Sequence, residues 1–289
     1  MWIKLITIGL TTFLLAGCSG GGPVSLVKDT HVHGLAVDRG DSSRLYIATH
    51  DGLFVLEDDE QLSRVGKQRH DFMGFSVHPT DPSTLFSSGH PKGGGNLGFM
   101  ISKDGGRMWV KANNGSPLGP ADFHTMMVHP ANGDHIYGWF RLRIHRSLDG
   151  GRNWEVLANQ PPEVLSFAGD PKNENVVYLG TIGDLLMSTD KGESWARMTD
   201  KFASDVVFDI DVDRRTGDLY LATRDQGIVR ATREFAGGFS FEDLGKLPGS
   251  DIPEHLALDP EDSQVMYTFS KGHVLYKSAD GGRNWQKVF

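Results

Sequence analysis

The chain has 289 residues, a net charge of −8, 36 glycines and 38% hydrophobic residues. An acidic balance with no basic run excludes a nucleic-acid-binding surface, which needs clustered Lys and Arg for phosphate contacts. With one cysteine the chain cannot form an internal disulfide, so the fold must rest on its apolar core.

Lys4 precedes an apolar run from Leu5 to Leu15, too short to span a bilayer as a helix and suited to the core of a signal peptide. It ends in Leu15-Ala16-Gly17-Cys18, which resembles the bacterial lipobox, in which the cysteine becomes the lipid-modified first residue. Residues 1–18 are therefore expected to be a lipoprotein signal, Cys18 the lipid attachment site, and 19–30 a tether holding the domain to a bacterial membrane on its extracytoplasmic side. Residues 31–289 form the expected single domain.

From there the chain repeats. An Asp or His turn residue recurs at Asp38, His78, His129, Asp170, Asp213 and Asp259, each closing a short apolar strand. An aromatic follows eight residues later at Tyr46, Phe86, Tyr137, Tyr178 and Tyr267, and seven later at Tyr220. The third unit shows the predicted pattern best, with strands over 124–128, 135–138, 143–147 and 154–157. Four antiparallel strands per unit make one propeller blade, and six units predict an all-β, six-bladed propeller. A further strand over 24–27 and a last strand over 286–289 leave the closure of the ring open.

A second signature runs through four units. Ser-x-Asp-x-Gly-x-x-Trp occurs at Ser102–Trp109, Ser147–Trp154, Ser188–Trp195 and Ser278–Trp285. The aspartate can accept backbone N–H bonds of its own turn, the glycines supply positive φ, and the tryptophan starts the next strand with a large ring to bury. The octet resembles the Asp-box, or BNR repeat, of the sialidase, sortilin-like and photosystem-assembly-factor propellers. In that family the box lies away from the ligand site, which implies a structural role for Asp104, Asp149, Asp190 and Asp280. The first unit, with Glu57 to Glu60, and the fifth, with Arg233 to Gly238, lack a good copy.

Strand alternation then puts function on the opposite face. Four residues after the aromatic stand His50, His90, Arg141, Ile182, Arg224 and Lys271; five before the turn anchor stand His33, Met73, His124, Leu165, Phe208 and Glu254. With His31 and His70, the first three blades bring His31, His33, His50, His70, Met73, His90 and His124 to one sector. Imidazoles with a thioether suit a transition metal, copper or zinc, and methionine favours Cu(I). The competing reading of His33, Met73 and His124 is packing, in line with Leu35, Phe75 and Met126. Arg141, Arg224 and Lys271 are candidates for an anion, and Asp122, Asp209 and Glu254 could supply carboxylates. His78 and His129 replace Asp at turn anchors and are expected to be structural; His135 and His145 receive no function.

The sialidase resemblance covers the domain as fold but not as catalyst. Five of six tyrosines occupy one repeat position, which marks them as packing residues, and the Arg-Ile-Pro motif is missing. The Gly-rich stretch Lys92 to Gly98 joins two strands and opens no helix, so a dinucleotide site is excluded. The expectation is a membrane-anchored monomer whose His/Arg face binds a small ligand, a metal such as copper, or a partner protein, without catalysis. The alternatives are a sialidase-like glycoside hydrolase and an assembly or docking factor.

Overall fold

The computed structural model describes residues 30–235 and 237–289; the signal segment, Cys18, the tether up to residue 29 and the strand expected over 24–27 lie outside them. Six sheets of four antiparallel strands make the propeller, and the described residues contain no α-helix. Blade one is β1 (Val32–Val37), β2 (Arg44–Thr49), β3 (Gly52–Glu57) and β4 (Gln61–Arg64). Blade two is β5 (Asp71–Val77), β6 (Leu85–His90), β7 (Phe99–Ser102) and β8 (Val110–Asn113). Blade three is β9 (Thr125–Val128), β10 (Ile136–Phe140), β11 (Arg143–Ser147) and β12 (Glu155–Val156). Blade four is β13 (Val164–Gly169), β14 (Val177–Thr181), β15 (Leu185–Ser188) and β16 (Ala196–Arg197). Blade five is β17 (Val207–Val212), β18 (Leu219–Thr223), β19 (Gly227–Arg233) and β20 (Phe239–Gly245). Blade six is β21 (Pro253–Leu258), β22 (Met266–Ser270), β23 (Leu275–Ser278) and β24 (Gln286–Lys287).

Burial follows from this layering. The second strand of a blade is covered by a neighbouring blade on each face, so β10, β14, β18 and β22 are buried at every residue and are largely apolar, without the alternation of a half-exposed strand. Outer strands such as β16 and β24 are exposed and only two residues long, which limits edge pairing with other chains. The core is accordingly not one mass. Each of its six apolar clusters sits between two adjacent blades, as where Tyr137 and Trp139 meet Phe167 and Leu179.

Among the described residues every blade is one contiguous segment, and blades one and six meet through their side chains. Ile47 and Phe54 of blade one pack with Tyr267 and Phe269 of blade six. The Tyr267 hydroxyl donates to Asp59 at 2.7 Å, and Lys277 pairs with the same carboxylate. The first unit, which lacks the octet, thus uses an aspartate of the same turn to hold the seam. His255 adds to it, since its Nε2–H donates to the Val32 carbonyl at 2.9 Å.

The innermost strand of each blade has an edge facing the channel, whose N–H groups need partners. Neighbouring blades supply several: Ser76 accepts from Val128 N, Ser166 from Ile210 N, Asp209 from Leu256 N and Asp211 from Leu258 N. Asp209, one of the carboxylates expected to serve a ligand, is therefore committed to the frame. Burial pushes both Asp209 and Asp211 up to about 6.

The octets have the expected hydrogen bonds. Asp149 Oδ1 accepts from the backbone N–H groups of Arg152 and Asn153 at 3.0 and 2.9 Å and from Ser147 Oγ at 2.9 Å, while Gly151 N–H donates to Ser147 Oγ at 2.9 Å. These bonds hold the Asp149 carboxyl at about 2. Gly151 sits at φ 81°, and a Cβ there would lie 2.1 Å from the Phe99 ring of the preceding blade, so no other residue fits. Trp109 and Trp285 are buried, but Trp154, expected to be so, is half-buried. Its ring packs on Phe99 and Phe123 at 5.1 Å from each and leaves one side open.

Candidate metal centre at the channel mouth

The octets lie in the turns from third to fourth strands; the turns from second to third strands, with His50, His90, Arg141, Arg224 and Lys271, lie at the opposite ends of the blades. Here the inner strand breaks register. The β1–β2 ladder skips between Val32 and Gly34, β13–β14 between Val164 and Ser166, β17–β18 between Val207 and Asp209, and β21–β22 between Pro253 and His255. The skipped residues are His33, Leu165, Phe208 and Glu254. A bulge re-aims the side chain of the residue it leaves unpaired, and His33, Leu165 and Phe208 line the axial channel with Met73 and His124. The channel has a volume of about 180 Å³. The repeat position five before the anchor, expected as a column of strand residues, falls in a bulge in every blade but the third, where His124 precedes β9 and the ladder keeps its register.

The bulge in blade two spans Phe72 to Phe75 and places Asp71 opposite His90. Gly89 permits this approach: at φ 138° its missing Cβ would stand 1.9 Å from the Asp71 carbonyl oxygen. Asp71 thereby faces blade one. Its Oδ2 contacts His50 Nδ1, and its Oδ1 lies 3.4 Å from His33 Nε2. One ligating atom from each of His33, His50 and Asp71 falls within 4.8 Å of the others. His33 Nε2 and Asp71 Oδ1 are buried and make no hydrogen bond. Burial, followed by the neighbouring His50, His255 and His31 rings, pushes His33 down to about 3, so its imidazole is neutral at physiological pH and offers a lone pair.

The seven sequence candidates do not meet at one point. His31 borders the His33–His50–Asp71 group, with its ring 5.4 Å from His50 and 6.4 Å from His33. His90 and His124 belong to a separate group around Asp122, whose Oδ2 lies 2.9 Å from His90 Nε2 and 3.2 Å from His124 Nε2. The hydrogen bond to Asp122 raises the His124 pKa above its ordinary value. His70 joins neither group; its ring packs on Phe72 and its Nε2 lies 3.4 Å from Gln68. Two residues outside the sequence candidates join the rim: Asp71, and His273, whose ring is 5.8 Å from His31.

The basic residues of the far half of the rim are dispersed among partners of their own. Arg224 pairs with Asp225 at 2.9 Å, Lys271 reaches Glu254 at 4.0 Å and lies over Phe208, and Arg141 lies over Phe140. His78 and His129 accept backbone N–H bonds of their turns, and His135 and His145 are buried.

No protein-family model matches the chain. A stretch of 135 residues is 24% identical to a probable oligoxyloglucan-reducing end-specific xyloglucanase of Neosartorya fischeri, over 42% of this chain and 17% of that protein. A xyloglucanase of Acetivibrio thermocellus is 26% identical over 136 residues, 43% of this chain and 12% of that protein. The aligned part thus spans less than a fifth of either relative. Among solved structures, the GH74 enzyme of Niastella koreensis superposes with a TM-score of 0.64 at 15% identity, covering 89% of this chain and 45% of that one. YCF48 from Cyanidioschyzon merolae gives 0.54 at 14%, covering 90% and 85%. The structural likeness is one of fold. The fold is shared with xyloglucanases and YCF48, and a fold by itself carries no function.

Proposed function

We propose that this protein binds a transition-metal ion at its channel mouth through His33, His50 and Asp71. The observation that supports the reading is the pair of buried, hydrogen-bond-free atoms, His33 Nε2 and Asp71 Oδ1, that face each other at 3.4 Å beside His50. A buried polar atom with no partner costs roughly 1–3 kcal/mol, and a cation between the two would satisfy both. Two imidazoles and a carboxylate form a harder donor set than histidine with methionine, which moves the expectation from Cu(I) toward Zn(II), Cu(II) or Fe(II). Metal titration of the purified chain, with a His33→Ala/His50→Ala variant as control, tests it. Equal affinities in the two proteins would overturn it.

Sequence similarity to xyloglucanases supports a second reading, hydrolysis of a glycosidic bond, with Asp71 and Asp122, each with a buried oxygen free of hydrogen bonds, as the candidate carboxyl groups. Release of reducing ends from xyloglucan, abolished by Asp71→Asn or Asp122→Asn, is the outcome it requires. Under either reading we place the domain outside the cytoplasm, held to the membrane through lipidated Cys18; Cys18→Ala then releases the protein into the soluble fraction.

A further inference from the structure

The propeller repeat that produced the first ligand group has produced it twice. His50 and His90 each stand four residues after their blade's aromatic, Tyr46 and Phe86. Asp71 and Asp122 each stand seven residues before the next blade's anchor, His78 and His129 (78 − 71 = 7; 129 − 122 = 7). His50 and Asp71 meet across the interface of blades one and two, and His90 and Asp122 meet across the interface of blades two and three. Each pair is completed by a residue at the channel-lining position five before an anchor: His33 for the first, His124 for the second. At the other four interfaces the same two positions hold Arg141 with Glu163, Ile182 with Val206, Arg224 with Ile252 and Lys271 with His31, so the imidazole–carboxylate pair is confined to these two.

We infer that His90, Asp122 and His124 form a second transition-metal site beside the first, so that the mouth holds two ions, one per blade interface. The inference rests on the metal reading of the first site. It stands on geometry of its own, however. The Asp122 side chain is 7% exposed, and its Oδ1 is buried with no hydrogen-bond partner. The other oxygen, Oδ2, collects both imidazole nitrogens, at 2.9 and 3.2 Å. Unlike the first group, whose ligating atoms already lie within 4.8 Å of one another, His90 and His124 must swing toward each other to share an ion at the ~2 Å distances that imidazole and carboxylate ligands adopt, and their partly exposed side chains leave room to do so. Met73 lines the channel with both His33 and His124, and it holds in blade two the repeat position that those histidines hold in blades one and three.

Equilibrium dialysis of the full chain against Zn(II), Co(II) and Cu(II), with metal per chain measured afterwards, tests the second site. The expected result is two ions per chain in the wild type, one in His90→Ala/Asp122→Asn and one in His33→Ala/His50→Ala. In the Cu(II) form, electron paramagnetic resonance is expected to show coupling between two spins, lost in either variant. One ion per chain in the wild type, unchanged by His90→Ala/Asp122→Asn, overturns the second site and leaves the first standing. No ion in the wild type overturns both. If a variant fails to fold, as circular dichroism would reveal, the wild-type stoichiometry and spin coupling still distinguish two sites from one.

Discussion

The two rims of the propeller use the same residue types in opposite ways. On the octet rim, Asp149 receives two backbone N–H bonds, a serine hydroxyl and the Asn153 side chain, so its lone pairs are filled by its own turn. On the channel-mouth rim, Asp71 and Asp122 each keep a buried oxygen without a hydrogen bond, and His33 keeps a buried nitrogen. A carboxylate satisfied locally stabilises a hairpin and has nothing left for a ligand. One that is held between blades and left incomplete can take a cation. The contrast separates frame from site within a repeat that places acids on both rims.

The comparison predicts that damage to the octet rim appears as lost stability and damage to the mouth as lost binding. The largest effect is expected for Trp285→Ala, which removes a buried ring and should cost about 3–5 kcal/mol in urea unfolding. Trp154→Ala should cost less, because that ring is half-buried. Equal costs would mean that the octet tryptophans act through something other than burial.

Next in size is the loss of metal affinity in His33→Ala/His50→Ala. It should exceed the ~10–100-fold loss that follows when a residue merely orienting a ligand is removed. Calorimetric titration measures it; the thermal midpoint without metal should barely fall in His33→Ala alone, since His33 Nε2 gives up no hydrogen bond, and somewhat more when His50, which contacts Asp71, is removed as well. Asp149→Ala should do the reverse, lowering stability by about 0.5–1.5 kcal/mol through the lost hydrogen bonds of its exposed turn while metal affinity stays at the wild-type level. A loss of affinity in Asp149→Ala would break the division between the rims.

The smallest effect lies in the channel wall between them. Asp209 and Asp211 have folded-state pKa values near 6, above the ordinary carboxylate value of 3.8. The stability they contribute is therefore fully present below about 3.8 and is lost as pH rises through 6. Asp209→Asn/Asp211→Asn, which cannot ionise, should close part of its stability gap to the wild type between pH 4.5 and 7.5. A gap that widens over that range would show that the two carboxylates are better satisfied as anions than their burial implies.

The repeat spacing locates both rims because it recurs in every blade, and local hydrogen bonds within an octet need no partner from elsewhere. That is why Asp104, Asp149, Asp190 and Asp280 are assignable to the frame from the sequence. The grouping of the histidines is legible only in part. Repeat position puts His33, His50, His90 and His124 on the correct rim, but it joins them with His70 in one sector, whereas pairing across blade interfaces sorts them into two groups. Asp71 is hidden in the sequence because its partner, His50, lies in another blade; the spacing of seven before the anchor, shared with Asp122, is the one signal that marks it. Under the proposed metal reading, the carboxylate beside the imidazoles favours a harder ion than the Cu(I) that Met73 suggests.

What the sequence determined by itself is periodic: six units, four strands in each, the octet turns and the face on which each repeat position falls, all set by local turn chemistry and the alternation of side chains along a strand. What the tertiary structure decided is which neighbours meet. Closure of the ring through Asp59, Tyr267 and His255, the bulge that aims His33 at the channel, and the meeting of His50 with Asp71 and of His90 with Asp122 depend on contacts between separate blades. Those contacts are fixed by the packing of whole sheets, and no single stretch of chain encodes them.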